Sequence, residues 1–139
     1  MQSSSPEFTS KLHLEGKRVL ITADQAVYHL RRIFSGCGCQ PDIADAVAHH
    51  LVDASLCGVE SHGIMRCLQY AKQFRSGYMD AGVVPMLTTD PKNNIEINGN
   101  GGIGIPAMTM AYQHAAKTAA TTGISMLAIR NLGHTGRHG

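Results

Sequence analysis

The 139-residue sequence lacks the features that mark several large classes of protein. It has no dense run of lysine and arginine, and its net charge is only +2, so composition gives no support for nucleic-acid binding. No apolar stretch approaches the roughly 18 residues that a membrane-spanning helix requires. Residues 1–10 are polar and contain no hydrophobic segment, so no signal peptide is predicted.

The sequence also lacks a second pair of closely spaced cysteines. Cys37 and Cys39 are two positions apart, whereas Cys57 and Cys67 stand far from them and from each other. Structural zinc sites usually need four ligands in two close groups, and a chain that buries its own core needs no disulfide framework. We therefore predict reduced cysteines in a cytoplasmic protein, and no bound metal.

Three helices are predicted over residues 21–78, after a polar tail over residues 1–20. A capping box at Thr22–Gln25 begins a helix that ends at Gly36, a second helix runs from Pro41 to Gly58, and a third from Ser61 to about Arg75. The predicted buried stripes of the first two helices are Val27, Leu30, Ile33 and Phe34, and Ile43, Val47, Leu51 and Ala54. With such short joints, these helices indicate a small helical bundle.

The pattern changes after Gly77. Ile95–Ile97 alternates as a short strand, and a glycine-rich stretch leads to a helix that Gly123 closes. The apolar run Ser125–Ile129 predicts a buried strand. Residues 79–139 thus have the pattern of the beginning of an α/β domain that is incomplete, because its sheet would have exposed edges.

The stretch Gly99–Gly104 fits the pattern G-x-G-x-x-G between a predicted strand and a predicted helix. In dinucleotide-binding folds such glycines let a pyrophosphate approach a helix N-terminus. The acidic companion about 20 positions later is absent, because no Asp or Glu follows Glu96. A plain glycine turn is the preferred interpretation, and a nucleotide-binding turn is the alternative.

The segment Gly58–Arg66 carries the first candidate chemistry. If Ser61 caps the third helix, His62 lies in its first turn, where unpaired N–H groups and the helix dipole disfavour the imidazolium ion. Arg66 and Tyr70 follow at intervals of four, on the same helical face. Histidine passes protons near neutral pH and arginine grips carboxylates, so the spacing fits a substrate whose carbonyl lies beside a carboxylate. Such stripes are also common on plain solvated helices.

A second candidate cluster is the loop over residues 131–139, NLGHTGRHG, directly after the predicted strand. Loops at strand ends often carry function, and the glycines around His134 would allow a ligand to approach closely. The chain has eight histidines, so one of them in a loop is weak evidence by itself. The others are interpreted as surface or packing residues: His13, His29, His49, His50 and His114.

Together these segments resemble the malate/L-lactate dehydrogenase family that lacks the Rossmann fold. The resemblance runs from about Thr22 to the last residue, and its most specific part is Ser61-His62-Gly63-x-x-Arg66 followed by His134-x-Gly136. It is supported by Leu51-Val52-x-Ala54, the Asn98–Gly104 turn, the alanine-rich helix and Ile129-Arg130-Asn131. Many members have Phe where this chain has Thr135, which would alter the substrate pocket.

The resemblance implies an α/β fold in which an N-terminal helical bundle precedes the start of a mixed-sheet, non-Rossmann cofactor domain. It also implies NAD or NADP as cofactor, a small 2-oxo or 2-hydroxy acid as substrate, and a homodimer. Carried over by motif, the catalytic candidates are His62 and His134, the substrate-binding candidates Ser61, Arg66 and Tyr70, and the cofactor-binding candidates His134, Thr135 and Gly136. Because members are much longer, we expect an N-terminal fragment of the oxidoreductase that is inactive alone.

Two other functions stay open. The chain would serve as a non-catalytic helical module that dimerises or binds a partner through its apolar faces, with the histidines incidental. Alternatively, it would be a Rossmann-type nucleotide binder that uses Gly99–Gly104.

Overall fold

The computed structural model describes residues 19–89 and 94–138, so nearly all of the predicted tail over residues 1–20 lies outside the described residues. In chain order the elements are α1 (Ala23–Gly36), α2 (Pro41–Leu56), a 3-10 turn (Glu60–His62), α3 (Arg66–Arg75), β1 (Met86–Thr89), β2 (Ile95–Asn98), α4 (Gly104–Thr122) and β3 (Ala128–Arg130). Helices therefore dominate the first half, and a small sheet with one long helix forms the second.

Helix α1 begins at the predicted capping box. The Gln25 amide donates to Thr22 Oγ1 at 3.2 Å, and the Thr22 amide donates to Gln25 Oε1 at 3.0 Å, so the two side chains satisfy each other's backbone donors. Leu30 and Phe34 are buried as predicted, whereas Ile33 remains 38% exposed, so the predicted stripe was wrong at that position.

Helix α2 also follows its prediction. Pro41 occupies the first helical position, where its missing N–H costs nothing. All four predicted stripe residues are buried: Ile43, Val47, Leu51 and Ala54. The helix ends before Gly58, which has a positive φ of 73°.

The third helix starts later than the sequence predicts. Residues Glu60–His62 form a separate 3-10 turn, and α3 begins only at Arg66, so Ser61 does not cap it and His62 is not in its first turn. The reason is a tertiary contact. Between the two elements the Ile64 amide donates to Ser55 Oγ of α2 at 2.9 Å, and this bond replaces the one that a continuous helix would form there.

The helices share their core with the start of the second half. Phe34 of α1 and Phe74 of α3 meet edge to face, with ring centroids 6.3 Å apart. Met79, Ile103 and Ile105 belong to the same buried cluster. The first turn of α4 is therefore fixed directly against the helical bundle.

The sheet is mixed, as the resemblance implies. In the described part of the chain its order is β1-β2-β3, with β1 antiparallel and β3 parallel to β2. Ile97 of β2 is fully buried, and it packs against Ala107 and Ala111 of α4. A small second core thus lies between the sheet and that helix.

Two strand predictions differ from the structure. β1 pairs with β2 along its whole length, although the sequence before it is rich in turn residues and gave no strand signal. The strand predicted over Ser125–Ile129 is present as β3 but begins only at Ala128, and its predicted burial is wrong, because the side chain of Met126 is 93% exposed and Ala128 is exposed. An apolar run alone did not distinguish a buried strand from an uncovered segment.

The glycine-rich stretch is a tight turn. Asn100 and Gly101 both have positive φ, 52° and 79°, and the Gly102 amide closes the turn on the Gly99 carbonyl at 2.9 Å. Other amides of the stretch bind the end of β3 and the loop that follows it: Gly99 donates to Arg130 O, Gly101 to Asn131 O and Gly104 to His134 O, at 2.9, 2.8 and 3.0 Å. These donors are occupied by the chain's own backbone, which argues against the nucleotide-binding alternative.

The cysteines and helices carry no further signals. All four cysteines are free, and burial raises the pKa of the Cys39 thiol to about 11, with a smaller contribution from Cys37. None of the helices in the described ranges is both long and apolar enough to cross a membrane.

Thr22→Ala removes one half of the capping box at the start of α1. Because the Gln25 amide loses its acceptor, Thr22 Oγ1, we expect the free energy of unfolding to fall by about 1 kcal/mol in urea denaturation. Thr22→Ser keeps the hydroxyl and should retain most of the stability. Equal stability of Thr22→Ala and the parent chain would show that this cap contributes nothing.

Candidate functional site

The structure brings together side chains that are far apart in sequence. His62, at the end of the 3-10 turn, and His134, in the loop after β3, have ring centroids 5.5 Å apart. Arg66 and Tyr70 of α3 complete the group, which we call the His62–His134 cluster. All four were candidates from the sequence, and the structure places them at one location.

Ser61 lies beside the ring of His62. Its Oγ is 3.0 Å from His62 Nδ1, and both residues lie at the surface end of the 3-10 turn. A hydroxyl both donates and accepts hydrogen bonds, so Ser61 is a suitable partner for either protonation state of that nitrogen. Ser61 therefore lies at the candidate site next to His62, although it does not cap α3 as predicted.

Arg66 is held in place by its own neighbours. Its Nε donates to Ser61 O at 2.6 Å, and Nη1 donates to Gln69 Oε1. A guanidinium carries five N–H donors in a planar fork, so these bonds leave donors for a ligand. The guanidinium charge is also felt by His134, since it is one of the groups that lower the pKa of that ring.

His134 receives two hydrogen-bonding groups on one nitrogen. Tyr70 Oη lies 2.8 Å from Nδ1, and the Gly136 amide donates to the same atom at 3.0 Å. The pKa of His134 is lowered first by burial, then by the nearby Arg66, His62 and His138. The neutral ring is therefore favoured.

Tyr70 lies behind His134. Its side chain is fully buried, and burial raises the pKa of its phenol to about 12, so it stays protonated at physiological pH. This placement directs the Tyr70 hydroxyl at His134 and favours an indirect role over the predicted contact with substrate.

Thr135 and Gly136 shape the loop next to His134. Thr135 is half-buried, and a Cβ on Gly104 would lie 2.8 Å from its methyl carbon, so the loop packs tightly on the start of α4. Gly136 is buried, has a positive φ of 83°, and has no room for a side chain, since a Cβ there would lie 2.2 Å from His50 Nε2.

His50 is a site neighbour that the sequence did not reveal. Its Nε2 accepts a hydrogen bond from the Arg137 amide at 2.8 Å. The pKa of His50 is lowered first by burial and then by His138 and Arg137, while Asp53 opposes the shift. The Arg137 amide lies 87 residues from His50 in the sequence, so His50 could have been identified only by predicting that α2 packs against the last loop.

A second contact joins α2 to the same loop. Arg137 Nη2 donates to Asp53 Oδ2 at 2.7 Å. The ring of His138 lies near those of His50 and Tyr112, at 6.1 and 5.8 Å between centroids. The loop that carries His134 is thereby fixed between α2, α3 and the glycine turn.

The chemistry available in the cluster is proton transfer beside an anion-binding group. The described residues contain no group of three or more His, Cys, Asp or Glu side chains placed to hold a metal ion. What they offer is an imidazole, a guanidinium with unused donors and a second, neutral imidazole, which together suit a small carboxylate with a polar carbon–oxygen bond.

Comparison with known proteins places this chain in a family. The family model described as malate/L-lactate dehydrogenase matches residues 21–139. The Delta(1)-pyrroline-2-carboxylate/Delta(1)-piperideine-2-carboxylate reductase of Pseudomonas putida is 30% identical over 105 residues, 76% of this chain and 31% of that protein. The malate dehydrogenase of Pyrococcus abyssi is 28% identical over 126 residues, 91% of this chain and 35% of that protein.

Solved structures agree. The delta1-piperideine-2-carboxylate reductase from Pseudomonas syringae superposes with a TM-score of 0.77 at 29% identity, over 86% of this chain and 36% of that one. The malate dehydrogenase from Pyrococcus horikoshii gives 0.75 at 29% identity, over 85% and 34%. This chain thus spans about a third of the length of the curated relatives it matches. The fold, the paired motifs and these matches show that the chain belongs to the malate/L-lactate dehydrogenase family.

Proposed function

We propose that the protein containing this chain is an NAD(P)-dependent oxidoreductase that transfers hydride between nicotinamide and a small 2-oxo or 2-hydroxy acid. The observation that carries the proposal is the convergence of His62, Arg66 and His134 in one cluster. This chain supplies the substrate side of the site.

His62 is the proposed acid/base. When hydride reaches the C2 carbon of a 2-oxo acid, the C2 oxygen takes a proton from His62, and oxidation of the 2-hydroxy acid returns it. Ser61 supports both states, because its hydroxyl accepts from a protonated Nδ1 and donates to an unprotonated one.

Arg66 is the proposed carboxylate ligand. Two of its five donors hold it against Ser61 and Gln69, which leaves three, enough for a bidentate grip on a carboxylate. Such a bidentate contact would orient the C2 oxygen toward His62, which precedes Arg66 by four residues.

NAD or NADP is the proposed cofactor, and it supplies the hydride when bound. The residues that would hold the edge of its nicotinamide are the half-buried His134 and Thr135 beside His62, with the buried Gly136 shaping the loop beneath them, and this polar edge fits a flat, polar ring. The glycine turn at Gly99–Gly104 does not fit a pyrophosphate, because its amides bind the segment after β3.

The remaining proposals concern organisation. We propose a helical domain over residues 21–78, the start of the cofactor domain over 79–139, a homodimer, and a cytoplasmic location that suits the four free cysteines. Association is supported by the exposed apolar side chains of Met65 and Leu68, 53% and 70% exposed, on either side of Arg66.

The same exposed side chains favour a second candidate function, a helical binding or dimerisation module. The two functions differ in whether the chain binds small acids. In an NMR titration of the chain with pyruvate, the oxidoreductase proposal predicts that the signals of His62 and Arg66 shift. A dimer by size-exclusion chromatography whose spectrum no 2-oxo acid changes would favour the module instead.

His62→Gln should remove proton transfer while keeping a polar side chain. In the natural protein that contains this sequence, we expect kcat for a 2-oxo acid to fall by about 10²- to 10⁴-fold with little change in KM. His49→Gln is the matched control, since His49 contacts Arg31 and Asp45 on the surface. Equal turnover by the His62 variant and the parent would remove His62 from the mechanism.

Arg66→Lys keeps the charge but not the fork. Because one hydrogen bond to a carboxylate is worth about 1.5–3 kcal/mol, we expect the Kd or KM for a 2-oxo acid to rise by about 10- to 100-fold. Arg31→Lys, on an exposed arginine that pairs with Asp45, should leave binding unchanged. If both variants bind equally well, Arg66 is not the carboxylate ligand.

A further inference from the structure

The two imidazoles of the His62–His134 cluster differ in what their Nδ1 atoms meet. His62 Nδ1 faces the Ser61 hydroxyl, which adapts to either protonation state. His134 Nδ1 faces the backbone amide of Gly136, and a backbone N–H only donates. His134 Nδ1 must therefore present its lone pair, and the single proton of the neutral ring lies on Nε2.

Tyr70 reinforces this arrangement. With Nδ1 unprotonated, the Tyr70 hydroxyl at 2.8 Å acts as a second donor to the same lone pair. Burial keeps the phenol protonated and therefore able to donate. A proton on His134 Nδ1 would point at the donor-only Gly136 N–H and could be accepted by the Tyr70 hydroxyl alone, which makes the imidazolium ion unfavourable at this position.

His50 prevents the Gly136 amide from turning away. Its Nε2 accepts from the next amide, that of Arg137, at 2.8 Å. The Gly136 backbone is confined by its positive φ and by the His50 ring, which leaves no space for even a Cβ. The direction of the Gly136 N–H is therefore set from α2, the element on the other side of the loop.

We propose that His134 is held as the neutral Nε2–H tautomer and serves as a fixed hydrogen-bond donor to the C2 oxygen of the substrate, whereas His62 alone carries the proton. Tyr70 and His50 are positioning residues for this donor. The tautomer depends only on the contacts above, while the substrate contact rests on the proposed function.

The proton and hydride balance follows from this division. Hydride adds to the C2 carbon, negative charge develops on the C2 oxygen, and that oxygen takes a proton from His62 Nε2. His134 keeps its Nε2 proton throughout and stabilises the developing charge, as the donors of an oxyanion hole do. The two histidines thus have different roles: His62 transfers the proton, and His134 donates a hydrogen bond.

The charges around His134 act in the same direction. It is faced by Arg66 and Tyr70 from α3, His62 from the 3-10 turn, His50 from α2, and His138 from its own loop. Cations beside an imidazole disfavour its charged form, as burial does. The ring should thus stay neutral at pH values where exposed histidines already carry a proton.

The tautomer can be measured in this chain without any substrate. With ¹⁵N-labelled histidine, long-range ¹H–¹⁵N correlation spectra distinguish a protonated from an unprotonated ring nitrogen. We expect His134 to show an unprotonated Nδ1 and a protonated Nε2, and to remain neutral as the pH falls through about 6.5, the reference pKa of histidine. A proton on Nδ1, or protonation of His134 at the reference pKa of histidine, would overturn the proposal.

Tyr70→Phe tests the positioning role. Loss of a donor to the neutral ring should raise the pKa of His134 toward that of an ordinary histidine. Tyr28→Phe, on an exposed tyrosine that contacts His29 and Arg32, should not change it. An unchanged His134 titration in Tyr70→Phe would exclude Tyr70 from this role. If that variant does not fold, the spectrum of the parent chain still decides the tautomer.

Activity separates the two parts of the proposal. In the natural protein, His134→Gln keeps an N–H donor, so we expect reduced turnover with the pH dependence of kcat/KM preserved, because the proposed proton carrier, His62, is unchanged. Loss of the pH-dependent limb in His134→Gln would overturn the assignment. If no 2-oxo acid is turned over by the parent protein, the proposed function fails, while the tautomer measured by NMR still stands or falls separately.

Discussion

The backbone contact between the glycine turn and the segment after β3 governs the rest of the structure. Amides of Gly99, Gly101 and Gly104 bind the carbonyls of residues 130, 131 and 134, so β3 and the loop behind it are attached to the start of α4. The first turn of α4 is in turn buried in the helical core through Ile103 and Ile105. This series of contacts places His134 beside the 3-10 turn that contains His62 and beside helix α3, which contains Tyr70.

The hydrogen-bond partner of each Nδ1 atom determines which protonation states His62 and His134 can adopt. A serine hydroxyl beside His62 permits a ring that gains and loses a proton, and a backbone amide beside His134 permits only a neutral one. Burial and the positive charge of Arg66 act on His134 in the same sense. His62 and His134 therefore differ in protonation because their neighbours in the structure differ, and amino-acid composition does not show this difference.

Local patterns predicted the elements whose causes are local. The Thr22–Gln25 box, Pro41 at a first helical position and the buried stripe of α2 all occur as predicted, because capping and helical periodicity depend on residues a few positions apart. The start of α3 was predicted too early, since the Ile64 amide is taken by Ser55 of another helix. No strand was predicted at β1, and the strand predicted at 125–129 begins only at Ala128 and is not buried, because strand pairing and burial are decided by distant segments.

The sequence by itself determined the family-like motifs, the helical first half and the residue types available for catalysis: an imidazole, a guanidinium and a second histidine between glycines. The sequence determines these features because each depends on residues that are only a few positions apart. Tertiary structure decided which of these groups meet, that Tyr70 lies behind His134, and that His50 of α2 holds the His134 loop through an amide 87 positions away. Those relations arise from the packing of separate segments, and hydrogen-bond direction at a packed contact has no signature in a linear pattern.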